Sequence, residues 1–119
     1  MHITDIKTIN IFLETLLNMS DVSAINQQLI LMLMIIDGIL IEIKKSKNID
    51  DANYYFDILQ KIHDTLDVLI FHKNIRISII ELQRFASDCE RLDDNWQRNY
   101  LYQKIKSGQY SLSNYKRLW

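Results

Sequence analysis

Proline is absent from this 119-residue chain, and glycine occurs only twice. The repeated tight turns of an all-β sandwich or barrel need these residues, so their scarcity argues against both folds. A single cysteine cannot form an internal disulfide, and no secretory signal pattern opens the chain. We therefore expect a protein of the reducing cytoplasm, where free thiols are the rule.

Motifs for catalysis and cofactor binding are also lacking. No two of the three histidines have metal-ligand spacing, and two distant glycines cannot build a phosphate-binding loop. Cys89 lies between two acidic residues, which disfavour a reactive thiolate. His63 with Asp64 and Asp67 is the best remaining acid–base or cation-binding set, but a structural role is favoured for it. We predict no enzyme activity, no cofactor and no metal site.

The composition is that of a folded globular protein. Hydrophobic residues make up 48% of the chain and charged residues 24%, both close to globular averages, so disorder is disfavoured. The length suits one hydrophobic core and is too short for two. Residues 1–119 are therefore expected to form a single domain, with a short helix or tail over residues 109–119.

Apolar residues recur at spacings of three and four along most of the chain, which is the pattern of amphipathic helices. They predict helices over residues 5–19, 25–45, 51–71 and 79–92, and a fifth helix that ends at Lys106. Residues 72–77 alternate like a strand but have no partner strand, so a connector is predicted. Ser78 and Glu81 have capping-box spacing, and the stripe of the fourth helix extends to Trp96. The predicted fold is all-α, a compact bundle of four to five mostly antiparallel helices.

The second helix is the most apolar segment, with eight consecutive apolar residues at positions 29–36. Polar residues on both sides leave too short an apolar run to span a membrane, so we predict a long apolar central helix and no membrane association. Its predicted core stripe consists of Ile25, Leu29, Met32, Ile36, Ile39 and Ile43. The second apolar face, formed by Ile30, Met34 and Ile41, is either internal or a contact face for a partner or a second copy.

Charge is unevenly distributed although the net charge is only −1. Residues 48–95 hold ten acidic and five basic side chains, whereas residues 96–119 hold five basic and no acidic ones. An acidic surface steers a basic protein towards it, while a solvated helix face is the simpler alternative. The candidate acidic protein-binding face consists of Asp57, Asp64, Asp67, Asp88, Asp93 and Asp94.

The C-terminal segment combines cations with aromatic rings. Such a composition is typical of protein-binding hot spots and is compatible with single-stranded nucleic acid. A third interpretation folds the rings back onto the bundle and pairs the cations with its acidic face. The candidate interface or nucleic-acid contacts are Lys104, Lys106, Tyr110, Tyr115, Lys116, Arg117 and Trp119.

These observations predict a non-catalytic protein-binding domain. The favoured function is a small cytoplasmic inhibitor, such as an immunity protein or antitoxin, that binds and neutralises a basic partner protein. The first alternative is a secretion or assembly chaperone, or a homodimeric adaptor, that uses the second apolar face of the second helix. The other is a nucleic-acid-binding protein that uses the C-terminal segment, and this class is disfavoured because five cations without a recognised motif make a weak signal.

Overall fold

A computed structural model describes residues 5–112, and this part of the chain contains five α-helices and no strand. The helices are α1 (Ile6–Asn18), α2 (Val22–Lys45), α3 (Ile49–Asp67), α4 (Ile80–Asp88) and α5 (Asn95–Lys106). A π-helical turn, Val68–His72, continues α3. The prediction of an all-α bundle is therefore confirmed.

Polar side chains begin four of these five helices. Each accepts a hydrogen bond from a backbone N–H of the first turn, which satisfies a donor that has no partner within the helix. The capping residues are Asp5, Asp21, Asn48 and Asp94. After α5 the chain turns at Gly108, whose φ of 78° lies in the left-handed region that glycine tolerates best.

The core is built on α2, which contributes ten buried residues, more than any other described helix. Its predicted stripe is fully buried along the whole helix: Ile25, Leu29, Met32, Ile36, Ile39 and Ile43. This stripe packs against α3 and α5, and α3 in turn contacts each of the other four helices. A three-residue connection, residues 46–48, joins α2 to α3, as is typical of antiparallel neighbours.

The second apolar face of α2 is on the outside of the bundle. Ile30, Met34 and Ile41 are all exposed, so this face is not part of the core. By length and composition α2 is also the one helix within residues 5–112 that passes a test for a membrane span. Half of its most apolar window is buried in the protein, and the core helix of a soluble protein passes the same test.

The fourth helix begins later than predicted. The proposed capping box of Ser78 and Glu81 is wrong, because Ile79 occupies the cap position and no side chain caps it. The physical reason is that Ile75 and Ile77 of the connector are both buried, which holds the chain extended up to the start of α4. Gln83 then donates a hydrogen bond back to the Ile77 carbonyl.

The fourth helix also ends earlier than predicted, at Asp88 and not at residue 92. Cys89 leaves the helical conformation, and residues 89–93 form a turn. Side chains from α5 stabilise this turn, since Gln97 donates to the Asp88 carbonyl over 2.6 Å and Arg98 donates to the Leu92 carbonyl. The turn interrupts the helical register, so the predicted continuation of the core stripe to Trp96 is wrong, and that side chain is exposed.

Candidate functional site

Three of the predicted acidic residues share one exposed side of α3. We call Asp57, Asp64 and Asp67 the acidic strip. Their spacings of seven and three residues place Asp57 and Asp64 opposite the residues that α3 buries in the core, with Asp67 on the flank of the same side. The Asp64 side chain is 66% exposed and the Asp67 side chain 43% exposed. The sequence prediction that these three residues share a face therefore agrees with the structure.

Arg98 of α5 neutralises one end of the acidic strip. Its Nη2 lies 2.7 Å from Asp57 Oδ1, and its guanidinium also donates to Asn53 Oδ1 at 3.2 Å and to Gln60 Oε1 at 3.3 Å. Only 12% of the Arg98 side chain is exposed. For this cation the interpretation in which the basic segment pairs with the acidic face is correct. Asp57 is 67% exposed but is paired with Arg98, whereas no lysine or arginine within residues 5–112 pairs with Asp64 or Asp67.

His63 lies beneath the other end of the strip and is 4% exposed. Its Nδ1 is 3.3 Å from Asp64 Oδ1, and its Nε2 is 3.8 Å from Asp67 Oδ2. Within residues 5–112 no group of three or more acidic, histidine or cysteine side chains is arranged to hold a metal ion. The imidazole Nδ1 therefore contacts the Asp64 carboxylate, whereas the buried Nε2 has no hydrogen-bond partner among the described residues.

The other three predicted acidic residues, Asp88, Asp93 and Asp94, lie between the last residue of α4 and the cap of α5. We call residues 88–94 the acidic turn, because four of its side chains are acidic and only Arg91 is basic. Asp94 caps α5 and lies 3.7 Å from Arg91 Nη2, and Asp88 lies 3.5 Å from Arg84 Nε. Two other carboxylates of the turn, Glu90 and Asp93, are exposed.

A cleft of about 350 Å³ opens beside the acidic turn, between α4 and α5. Its lining consists of Arg84, Ser87, Asp88, Gln97, Tyr100, Leu101, Lys104, Gln109 and Tyr110. Burial raises the pKa of the Asp88 carboxyl group, although Arg84 opposes this effect. Burial also raises the pKa of Tyr110 far above its usual range, and the nearby Asp88 charge adds to that shift. Both groups are held in a polar, partly desolvated environment.

The free cysteine is outside this cleft. Cys89 is almost completely buried, and burial, with a smaller contribution from Asp88, raises the pKa of its thiol well above the usual range. A thiol that stays protonated is a weak nucleophile. The prediction that Cys89 serves as a small buried hydrophobic residue agrees with this placement.

An exposed stack of aromatic rings runs along the outer face of α5. The ring centroids of Trp96 and Tyr100 are 5.6 Å apart and the rings are nearly parallel, with an angle of 6° between them. The Lys104 ammonium follows one turn later, 5.1 Å from the centre of the Tyr100 ring. We call Trp96, Tyr100 and Lys104 the aromatic ladder. Trp96 is absent from the predicted site residues, although the four-residue spacings from Trp96 to Tyr100 and from Tyr100 to Lys104 were a signal that could have found it.

Lys106, the last basic residue of α5, is exposed and is held against the end of α2. Lys106 donates to the carbonyls of Lys44 and Ser46 at the end of α2, over 2.8 and 2.7 Å. Of the predicted aromatic contacts, Tyr110 is mostly buried in the cleft. Four further predicted contacts, Tyr115, Lys116, Arg117 and Trp119, lie outside the described residues.

The chain is similar to a known protein family. The sequence model of the family described as "Immunity protein CdiI-like" matches residues 7–107, a range that includes almost all of the five-helix bundle. No curated protein and no solved structure gives a significant match to the chain.

Proposed function

The chain belongs to the CdiI-like immunity protein family, and on that premise we propose that it binds a toxin protein and neutralises it. Immunity proteins of this family are inhibitors and not enzymes. An inhibitor needs only a complementary surface, and the bundle offers its charged and aromatic groups on the outside. The proposal places the protein in the cytoplasm, where it acts as an antitoxin-type inhibitor.

The observation that carries this proposal is the surplus of negative charge at one end of the acidic strip, where Asp64 and Asp67 lie beside His63. Within residues 5–112 no lysine or arginine forms an ion pair with Asp64 or Asp67, and both carboxylates are exposed. Carboxylates left free on one face attract a basic surface and orient its approach. We therefore propose that the toxin is basic where it meets α3, and that Asp64, Asp67 and Asp93 are the acidic residues in direct contact with it.

Asp57, Asp88 and Asp94 have a different role in this proposal. Each lies within 4 Å of an arginine of the same chain, so none offers a fully free charge to a partner. Their contribution is structural, because they join α5 to α3, stabilise the cleft and cap α5. The contact surface is thus narrower than the six acidic residues predicted from the sequence.

Capture of the toxin tests this proposal. A tagged form of the chain should recover one basic protein from its native cells, and that protein should be toxic alone and harmless when it is coexpressed with the chain. Asp64→Lys should recover far less of it. Glu14→Lys is the matched control, because Glu14 is exposed on α1 and its reversal makes the same change in net charge. Equal recovery by the wild type and a folded Asp64→Lys variant would contradict the contact surface.

A second candidate function is a homodimeric adaptor or chaperone. The observation that favours it is the exposure of Ile30, Met34 and Ile41 on α2, because exposed apolar stripes are a feature of helix–helix contacts. Nucleic-acid binding is less well supported, since Arg98 and Lys106 both bind groups of the same chain. Binding to RNA or DNA at about 50 mM salt, where phosphate contacts are strong, would favour that third class.

A further inference from the structure

Trp96 is a large aromatic residue that lies outside the hydrophobic core of the bundle. It is 69% exposed, although a tryptophan buried in the core would contribute more to stability than most residues. The buried face of α5 is formed instead by Leu101, Tyr102 and Ile105. An exposed tryptophan on a well-ordered helix is typical of the residues that dominate protein interfaces.

The aromatic ladder leaves one face of the indole open. Tyr100 stacks on Trp96 in a nearly parallel arrangement and so covers one side of the indole ring. With most of its surface exposed, Trp96 offers the opposite side to solvent. The stack also restricts the indole orientation before any partner arrives, which lowers the entropy lost on binding.

The other end of the ladder shows what such a ring attracts. The Lys104 ammonium lies over the Tyr100 ring, 5.1 Å from its centre, in the geometry of a cation–π contact. The ladder is therefore an ordered series of cation, ring and ring. A second cation on the open indole face would complete it.

The local charge favours a cation at that position. Trp96 lies two residues after the acidic turn, in which four acidic residues accompany one arginine. Glu90 and Asp93 are exposed, and neither forms an ion pair within residues 5–112. An arginine side chain is suited to both features, because its planar guanidinium stacks on an aromatic face while its N–H groups bind a carboxylate.

We propose that the open face of Trp96, together with the exposed carboxylates of the acidic turn, receives an arginine side chain of the toxin. This inference rests on the proposed function. It adds a contact on α5 to the contact that the proposed function places on the acidic strip of α3. The other strongly exposed apolar residues do not match a basic partner equally well. Phe71, for example, is followed by Lys73 and Arg76, whose charges oppose a second basic surface.

The experiment compares two replacements of the same residue. Trp96→Phe keeps an aromatic face, whereas Trp96→Leu keeps apolar area and loses the ring. The probe is the basic toxin recovered with the wild-type chain, and calorimetry measures its dissociation constant. We expect Trp96→Leu to weaken binding about tenfold or more and Trp96→Phe to weaken it less. The matched control Ile11→Ala, at an exposed apolar position on α1, should stay within about twofold of the wild type.

Each outcome of this experiment is informative. Binding by Trp96→Leu within twofold of the wild type would overturn the inference, provided that circular dichroism shows intact helices. Equal weakening by the leucine and phenylalanine variants would also overturn it, because apolar area and not the ring face would then carry the contact. If the wild-type chain recovers no basic protein, the proposed function itself fails, which is a separate result.

Discussion

Arg98 shows at the scale of single residues how folding changes the charge pattern of the sequence. Asp57 and Arg98 are 41 positions apart and belong to segments of opposite charge. In the structure they form an ion pair, because α5 packs against α3. Sequence patterning identified the exposed side of α3, but it could not identify which carboxylate meets the guanidinium, since that contact depends on tertiary packing.

Replacing Arg98 tests this contact. We expect Arg98→Ala to lower the free energy of unfolding by about 2 kcal/mol, because acceptors on Asn53, Gln60 and Leu92 lose a mostly buried donor. Asp57→Asn should lower it by less than about 1 kcal/mol, since the Asp57 carboxylate is exposed and solvent screens its ion pair. Urea denaturation followed by circular dichroism measures both values. If the two variants lost equal amounts of unfolding free energy, the ion pair, and not the buried acceptors, would account for most of the stabilisation by Arg98.

Cys89 provides a second prediction at this scale. Because burial raises the thiol pKa far above the ordinary value of 9.0, iodoacetamide should label native Cys89 very slowly between pH 7 and pH 9. In denaturant, where the thiolate forms as the pH approaches 9, labelling should become fast and pH-dependent. Mass spectrometry after timed quenching measures the rates. Rapid labelling of the native protein would show that the turn at residues 89–93 opens readily.

At the scale of elements, periodicity predicted the helices that pack along their whole length. The α2 stripe is continuous over about five turns, so its register needed no tertiary information. The same reasoning failed between α4 and α5, because the turn at residues 89–93 shifts the register and the stripe of α4 does not continue into α5. Trp96 was therefore assigned to the core, and the exposed aromatic ladder was missed.

The second face of α2 gives a prediction for this element. We expect the double variant Met34→Glu and Ile41→Glu to stay folded, because both side chains are exposed and charge there needs no desolvation. The matched control Ile36→Glu should unfold, since Ile36 is fully buried. Circular dichroism and thermal denaturation measure the outcome. Unfolding of the double variant would show that the face is covered by other helices. If the wild-type chain is a dimer and the folded double variant is a monomer, the homodimeric alternative is supported.

At the scale of the whole molecule, the net charge of −1 conceals an uneven distribution of acidic and basic side chains. The acidic strip and the acidic turn present free carboxylates, while much of the basic charge on α5 is bound to α3 and to the end of α2. The described residues therefore create a local negative electrostatic field, although the net charge of the chain is almost zero. Such a field accelerates association with a basic partner more than it increases affinity.

This distribution predicts how salt affects toxin binding. Raising the salt concentration from about 50 to about 500 mM should slow the association rate several-fold, because the screening length falls well below 10 Å. Asp64→Lys should slow association at low salt and reduce its salt dependence, whereas Glu14→Lys should change neither substantially. Stopped-flow or biosensor kinetics with the purified toxin give these rates. A wild-type rate that does not change with salt would contradict electrostatic steering.

The intact mass of the complex that the wild-type chain forms in its native cells tests the central claim most directly. We predict that native mass spectrometry of the tagged, purified chain will show one copy of it bound to one copy of a basic protein. The complex should form more slowly as salt is raised, in keeping with its charged contacts. A chain recovered only as a pair with itself, or only with nucleic acid, would contradict the account of an acidic inhibitor that neutralises a toxin.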